Sequence, residues 1–206
     1  MSRTPDTRPI HPWPLRVTHW LNAIAIVTMI GSGLEIYNAA PLFPFTFPAR
    51  LTIGEWLGGA IAWHFAAMWL LVVNGLCYLG WGVLSGHFRS RLLPLSPRAV
   101  IADLGAALRF RLKHRPGAYN AVQRLLYLGV LALGVLVFAS GLAIWKPVQF
   151  AGLTNLLGGF AAARYVHFLA MSGIALFVAV HLVLVALVPK VLWPMIGGGR
   201  IEESLP

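Results

Sequence analysis

The chain has 206 residues, of which 58% are hydrophobic and only 11% are charged, and its mean hydropathy is +0.75. A soluble globular domain does not have this balance, so the composition predicts an integral membrane protein. The formal net charge is +10, but the cations cluster beside apolar segments, which disfavours nucleic acid as a partner. Cys77 is the only cysteine, which excludes disulfides within the chain and a cysteine-based metal site.

Four apolar stretches are long enough to cross a bilayer as helices, which takes about 20 residues each. The first 13 residues are polar and proline-rich, so we expect no cleavable signal peptide and a first span that stays in the mature protein. We predict a single all-α domain over residues 1–206, an integral membrane four-helix bundle. Its spans are predicted at residues 14–37, 55–84, 120–145 and 160–188.

The connection between the second and third spans indicates which way the chain crosses the membrane. It carries seven cations against one acid, Asp103, so the positive-inside rule places it in the cytoplasm. The cations before the first span and after the last agree with this, namely Arg3, Arg8, Arg16, Lys190 and Arg200. Both termini are therefore predicted to be cytoplasmic, in a multi-pass protein of the bacterial inner membrane.

Two of the connections between the spans have sequence patterns that bear on their structure. Ser96 and Pro97 are typical of a helix start, and apolar residues at helical spacing predict an amphipathic inner-surface helix over about residues 97–112. A solvated loop helix is the alternative. The outer connection, residues 38–52, is rich in proline and aromatics, which argues against regular structure and fits either an interfacial belt or a docking surface. We find no internal repeat.

Four histidines fall within the apolar spans. His167 and His181 are 14 residues apart, so on one helix they share a face and lie about 21 Å apart. With the predicted topology, His64 and His167 lie towards the outer face, while His19 and His181 lie towards the inner face. The topology was derived without the histidines, so this pairing by depth is an independent indication that they act together.

Each histidine also has an ordinary explanation, because a lone imidazole in a membrane helix can simply hydrogen-bond to a neighbouring helix. Four that pair by depth make this explanation weaker for the set. An ionisable group within lipid indicates function, and neutral imidazole is the commonest metal ligand. The other three histidines, His11, His87 and His114, stand in polar segments and are expected to be solvated.

The number of ligands favours haem iron over other metals. Zinc usually takes three or four protein ligands, and copper usually takes thiolate or additional donors, whereas haem iron needs only two axial ligands. The pattern thus predicts two haem b groups, an outer one on His64 and His167 and an inner one on His19 and His181. Five glycines offer room for a porphyrin or for ordinary helix packing, namely Gly31, Gly33, Gly75, Gly141 and Gly173.

These residues resemble the prokaryotic cytochrome b561 superfamily over nearly the whole chain, especially the cytochrome b subunits of nickel-iron hydrogenases, formate dehydrogenases and thiosulfate reductases. The likeness rests on "RVTHW" at residues 16–20, His64, "YNAVQR" at residues 119–124 and the pair His167 and His181. The segments "SGLEIYNAAPLFPF" and "SGLAIWKP" are most similar to the thiosulfate-reductase type.

The resemblance implies a membrane anchor in a respiratory chain that exchanges electrons between a quinone and a periplasmic oxidoreductase, often a molybdopterin enzyme. By the same likeness, Asn120, Gln123 and Arg124 would contribute to a quinone site beside the inner ligand His181. An amide at the inner start of the third span can donate to a quinone carbonyl, although Asn120 is equally suited to cap that helix. Because only residues 190–206 follow the fourth span, we expect no fifth helix of the kind in some hydrogenase subunits, so a molybdenum enzyme is favoured over a hydrogenase as the partner.

Two other functions fit the same residues. A self-sufficient superoxide:quinone oxidoreductase would use both haems but take electrons from superoxide at the outer face, guided by cations such as Arg50, Lys146 or Arg164. A metal or proton carrier would use the histidines directly. The sequence contains no nucleophile with a base, no carboxylate pair and no phosphate loop, so we predict an electron-transfer subunit without a catalytic centre of its own.

Overall fold

Long helices dominate the computed structural model, which describes residues 8–86, 96–108 and 121–201. Four of them are long and apolar enough to cross a membrane, as expected of an all-α membrane bundle, so the predicted fold class is confirmed. These four are α1 (Trp13–Ala39), α2 (Leu57–Leu84), α4 (Ala121–Trp145) and α6 (Phe160–Leu187).

Shorter elements lie between and after the four long helices. They are α3 (Pro97–Leu108), α5 (Ala151–Leu156) and α7 (Leu192–Gly197), with 3-10 turns at Ala49–Leu51 and Pro189–Val191. Most of the cations in the basic connection, and the end of the amphipathic helix predicted there, lie outside the described residues.

Small side chains form the contacts between the long helices, and large apolar ones face outward. The buried residues are mostly alanine, glycine and serine, among them Ala25, Ala60, Ala163 and Ala170. Many of the exposed residues are leucine, valine and tryptophan. Small residues let helix backbones approach closely in lipid, where large apolar side chains need no shelter. The burial pattern is therefore that of a membrane protein.

The chain forms two compact units, of which the first comprises residues 1–85 and 183–206. Within it, α1 packs along α2, and one buried amide joins them. The Asn74 side-chain nitrogen donates to the Thr18 carbonyl at 2.8 Å and to the Asn22 side-chain oxygen at 2.7 Å. Since Thr18 precedes His19, this contact fixes α2 against the backbone beside a predicted ligand.

The C-terminal segment folds back onto the start of α1 in the same unit. Two-residue strands β1 (Arg8–Pro9) and β2 (Arg200–Ile201) pair antiparallel. Arg16 donates to the Ile196 carbonyl at 3.0 Å, and the Trp20 indole donates to the Met195 carbonyl at 3.3 Å. The first turns of α1, which carry His19, are thereby held from both ends of the chain.

The connection between α1 and α2 is an ordered loop. The Asn38 amide acts as a clamp, donating to the Phe47 carbonyl at 2.9 Å and accepting from the Phe47 backbone nitrogen at 2.8 Å. Tyr37 stacks on Phe45, and Phe47 packs edge-on against both rings, with ring centroids 5.2 to 5.5 Å apart. Gly54 closes the loop with a φ of 116°, where a Cβ would collide with the backbone of Ala60.

The second unit comprises residues 86–182 and contains α3 to α5 and most of α6. Gly173 lets α6 approach α4, because a Cβ at this position would lie 3.0 Å from the Leu133 side chain. The turn helix α5 is joined to α4 by the buried Thr154, whose hydroxyl donates to the Ala143 carbonyl at 3.3 Å. These contacts set the part of α4 that faces His167.

Candidate haem-ligand sites

His64 lies on α2, and its ring contacts three groups within little more than one turn of α1. Its Nδ1 is 3.1 Å from the Ser32 hydroxyl oxygen, and the Met29 carbonyl also hydrogen-bonds the ring. A Cβ at Gly33 would lie 3.5 Å from the ring carbon Cε1. One imidazole edge is therefore docked against α1.

His167 lies on α6 and has the same surroundings in the second unit. Its Nδ1 is 3.1 Å from the Ser140 hydroxyl oxygen and 3.0 Å from the Val137 carbonyl on α4. A Cβ at Gly141 would lie 3.3 Å from the ring carbon Cε1. The serine, the glycine that follows it and the carbonyl three residues before it thus form a cradle for each ring.

These contacts fix which ring nitrogen carries the proton. A backbone carbonyl can only accept a hydrogen bond, so the nitrogen that faces the Val137 carbonyl must carry a hydrogen. We therefore assign the Nδ1–H tautomer to His167, and to His64 because its Nδ1 faces the serine oxygen of the equivalent cradle. The lone pair is then on Nε2, at the opposite corner of the ring. A histidine whose Nδ1–H is held by a carbonyl is the usual form of a metal ligand.

The two cradles are an internal repeat. The strings Ser-Gly-Leu-Glu-Ile-Tyr at residues 32–37 and Ser-Gly-Leu-Ala-Ile-Trp at residues 140–145 occupy equivalent places on α1 and α4. The prediction that the chain has no internal repeat is therefore wrong. The repeat covers six residues, too short to stand out in a chain this apolar, and its meaning depends on a histidine from another helix.

The repeat also relates the remaining histidines to tyrosines. His19 precedes Ser32 by 13 residues, and Tyr127 precedes Ser140 by the same 13. His181 follows His167 by 14 residues, and Tyr78 follows His64 by 14. In register, each unit therefore has one histidine where the other has a tyrosine. The predicted outer ligands, His64 and His167, are thus equivalent in the repeat, whereas the predicted inner ligands, His19 and His181, stand on non-equivalent helices.

His19 stands at the opposite end of its unit from His64. The 13 residues between His19 and Ser32 correspond to about 20 Å along α1, and Ser32 is the residue that contacts His64. Trp20 packs edge-on against the His19 ring with centroids 5.4 Å apart. The first unit thus separates its two histidines along the helix axis, as the pairing by depth requires.

His181 lies on the same helix as His167, about 21 Å along its axis. Its ring is exposed in the chain and stacks on Phe177, with centroids 6.2 Å apart and planes within 10°. His19 and His64 belong to the first unit, and His167 and His181 to the second. The pairing of ligands from different units rests on the sequence.

The five glycines predicted to leave space for a porphyrin have different neighbours in the structure. Gly33 and Gly141 face the two histidine rings. Gly31 faces the Ile53 side chain and Gly173 faces Leu133, so these two serve packing, and Gly75 has open space around it. Sequence reasoning thus included both cradle glycines but missed the serine beside each one.

The residues suggested for quinone are mostly beyond the described structure. Asn120 and the side chain of Gln123 lie outside the described residues. Arg124 is half-buried in the first turn of α4. Their role therefore stays a prediction from the sequence.

Comparison with known proteins gives a family match over almost the full length. The model of a family described as prokaryotic cytochrome b561 matches residues 10–198. A protein of Azospira oryzae, named as the protein-methionine-sulfoxide reductase subunit YedZ1, is 53% identical over 190 residues, which cover 92% of this chain and 96% of that protein.

More distant relatives are named as Ni/Fe-hydrogenase B-type cytochrome subunits. The one from Cupriavidus necator is 27% identical over 84% of this chain and 76% of its own length. The one from Azotobacter chroococcum is 25% identical over 95% of this chain and 89% of its own length. Relatives of both kinds are thus named as subunits of larger redox enzymes.

Proposed function

Since this chain belongs to the prokaryotic cytochrome b561 family, we propose that it is a di-haem, membrane-anchoring subunit that transfers electrons between the quinone pool and a periplasmic reductase. Its membership makes the chain a multi-pass membrane protein that binds haem b. The relatives make it an electron-transfer subunit that works with a redox enzyme. The number of haems, the quinone and the identity of the partner are the proposed parts.

The observation that carries the haem assignment is the hydrogen-bond geometry of His64 and His167. His167 directs Nδ1 to the Val137 carbonyl and the Ser140 oxygen. His64 directs Nδ1 to the Ser32 oxygen, so in both rings Nε2 is left to ligate. The residues present therefore fit a b-type haem, which His64 and His167 would hold through Nε2. When bound, haem supplies the one-electron redox chemistry, and the chain supplies position and environment.

We assign the outer haem to His64 and His167 and the inner haem to His19 and His181. The assignment is supported by the separation of about 20 Å between His19 and the Ser32 cradle within one unit. It is also supported by the similar separation of His167 and His181 along α6. Each unit thus offers one ligand at each of two depths.

We propose that the partner is a periplasmic molybdopterin oxidoreductase that reduces methionine sulfoxide in proteins. The relative from Azospira oryzae, 53% identical and matched over almost all of its length, is named as a protein-methionine-sulfoxide reductase subunit. The periplasmic side follows from the cation distribution, which predicts cytoplasmic termini and an inner-membrane location. His64 and His167 would then be the ligands nearer to the partner.

On the cytoplasmic side, we propose a quinone site that involves Asn120, Gln123 and Arg124 near His181. The side-chain amides of Asn120 and Gln123 can donate hydrogen bonds to quinone carbonyl oxygens. Arg124 lies in the first turn of α4, where its charge would remain close to the lipid headgroups. Protons released or taken up by the quinone would exchange with the cytoplasm.

The test uses membranes that contain the chain together with its native partner. A quinol is added first, and reduction of the haem is followed by absorption; a protein that contains methionine sulfoxide is then added. We expect the quinol to reduce the haem and the oxidised protein to reoxidise it. Reduction by superoxide without a partner, with no response to methionine sulfoxide, would favour the superoxide:quinone oxidoreductase instead.

The quinone site is tested in the same preparation with Asn120→Ala and Gln123→Ala. Both variants should keep the full haem content and slow the reduction by quinol. Asn155→Ala is the matched control, because Asn155 is an exposed amide on the turn helix α5. Unchanged quinol kinetics in the two variants would contradict the site.

A further inference from the structure

We propose that Ser32 and Ser140 are paired positioning residues that lower the redox potential of the outer haem by hydrogen-bonding its two axial histidines. This inference rests on the proposed function, because it concerns the ligands His64 and His167. It adds two residues that act on the iron through another side chain, one in each unit.

The direction of each serine hydroxyl is set by its own helix. Ser32 donates to the Thr28 carbonyl at 2.7 Å, and Ser140 donates to the Leu136 carbonyl at 2.7 Å. Both side chains are fully buried, with an exposed fraction of 0%. Since the hydroxyl proton is used within the helix, the oxygen presents a lone pair to the histidine.

Each histidine therefore donates its Nδ1–H to two acceptors. For His167 these are the Ser140 oxygen at 3.1 Å and the Val137 carbonyl at 3.0 Å. For His64 the Ser32 oxygen lies at 3.1 Å, and the backbone of Met29 also hydrogen-bonds the ring, at the position that Val137 has in the other cradle. The two acceptors hold the ring from adjacent positions on one helix, which fixes its rotation about the Cβ–Cγ bond.

The second acceptor also changes the electronic character of the ligand. A hydrogen bond from Nδ1–H places more electron density on the ring and makes Nε2 a more basic ligand. A more basic axial ligand stabilises ferric over ferrous iron, which lowers the potential. No proton leaves the ring, so the effect does not depend on a titration.

The equal geometry of the two cradles predicts equal effects. The serine-to-histidine distance is 3.1 Å in both, and each hydroxyl-to-carbonyl distance is 2.7 Å. Removal of either serine oxygen should therefore move the same haem in the same direction. Because the two contacts belong to different histidines, their effects should add in the double variant.

A serine that hydrogen-bonds to the carbonyl four residues earlier has a purely structural role in many helices, and the chain offers a matched example. Ser172 on α6 donates to the Phe168 carbonyl at 2.8 Å, as the cradle serines do to their own helices. Ser172→Ala removes such a bond without changing either histidine contact. It separates a general effect on the helix from an effect on the ligand.

The experiment is a redox titration of the purified chain, followed by absorption, for Ser32→Ala, Ser140→Ala, the double variant and Ser172→Ala. The outer haem is identified as the one that is lost in His64→Ala. In each single variant we expect its equilibrium to shift about threefold towards the ferrous form, a rise of about 30 mV at 59 mV per tenfold change. The double variant should shift about ninefold, and the inner haem and Ser172→Ala should not move.

A second variant keeps the inference testable if an alanine variant fails to bind the outer haem. Ser140→Thr keeps the hydroxyl, so it should retain the outer haem at the unaltered potential even if Ser140→Ala binds none. Potentials that stay unchanged in both single alanine variants, or that shift equally in Ser172→Ala, would overturn the inference while the haems remain bound. If the unaltered chain bound no haem, the proposed function itself would fail.

Discussion

The imidazole rings of His64 and His167 are each defined by three neighbours: a serine oxygen, a carbonyl and a glycine. The glycine matters because it lets the ring approach the helix backbone closely. At Gly141 a Cβ would lie 3.3 Å from the His167 ring, whereas at Gly33 it would lie 3.5 Å from His64. Since 3.5 Å is an ordinary van der Waals distance, an added methyl group is tolerated better at Gly33 than at Gly141.

Gly141→Ala is therefore expected to disturb haem binding more than Gly33→Ala. The added methyl group must push the His167 ring by a few tenths of an ångström, and changes around a metal ligand typically weaken binding by about tenfold or more. We expect about a tenfold loss of affinity for the outer haem in Gly141→Ala, measured by haem titration of the apoprotein.

Gly129→Ala is the control for this substitution, because a Cβ at Gly129 would have open space around it. It changes the same residue type on the same helix and should bind haem as the unaltered chain does. Equal affinities in Gly129→Ala and Gly141→Ala would contradict the close approach of the ring.

Sequence reasoning found the histidines but not their serine partners, and the reason is physical. An imidazole within lipid is conspicuous because it is costly there. A serine is common in membrane helices, where it bonds to its own backbone. Its second contact depends on which helix packs against it, as with Ser32 and His64, which are 32 residues apart. Only the repeated string at residues 32–37 and 140–145 carried a signal.

Polar contacts that could not be predicted from the sequence hold helix α1 near its start and at its end. Near its start, Asn74 from α2 bonds to the Thr18 carbonyl and to Asn22. At its end, Asn38 clamps the following loop at Phe47. Both amides use their donors on specific partners, so each fixes a direction as well as a distance.

Asn74→Leu should loosen the pairing of α1 with α2. The side chain is only 5% exposed, and hydrogen bonds between membrane helices contribute about 0.6 to 1.7 kcal/mol. We expect the free energy of unfolding in detergent to fall by about 1 kcal/mol. The same variant should weaken binding of the inner haem at His19, because the Asn74 contact lies at the adjacent residue Thr18.

The matched control is Leu76→Ala, a change on the same helix at a side chain that is 65% exposed. It removes apolar surface that faces outward, so the unfolding free energy in detergent should change little. A similar loss in both variants would mean that Asn74 acts through general packing and not through its hydrogen bonds.

At the scale of elements, the apolar stretches predict the four long helices well, because length and hydropathy alone decide them. The return of the C-terminal segment onto α1 was not predictable. It depends on contacts such as that of Arg16 with Ile196, which are 180 residues apart. The loop after α1 was expected to be irregular, and apart from a 3-10 turn at Ala49–Leu51 it is. Its order comes from Asn38, an interaction that composition does not reveal.

The molecule consists of two units, each with one serine, glycine and carbonyl cradle around a histidine. The units differ in which helix carries the second histidine. The first carries His19 and Tyr78 in the positions where the second carries Tyr127 and His181. Each unit therefore has two histidines within its long helices, but only His64 and His167 occupy equivalent positions. This difference makes the two proposed haem sites unlike, because only the outer one has equivalent ligands from both units.

The unlike sites bear on how the chain would direct electrons. Equivalent cradles surround His64 and His167, the proposed outer ligands, while His19 packs on Trp20 and His181 stacks on Phe177. Haem potentials depend on axial ligands, burial and hydrogen bonds. The inner and outer haems should therefore have different potentials, as transfer between a partner on one side and quinone on the other requires.

The most direct test of the account is the haem content of the purified chain and of its histidine variants. Haem is measured per chain by its absorption after reduction, and each remaining haem is identified by redox titration. The account predicts two haems in the unaltered chain and one in each alanine variant, with His64→Ala and His167→Ala losing the same haem and His19→Ala losing the other. A chain that stays colourless with ample haem, or loss of the same haem in His19→Ala and His64→Ala, would contradict it.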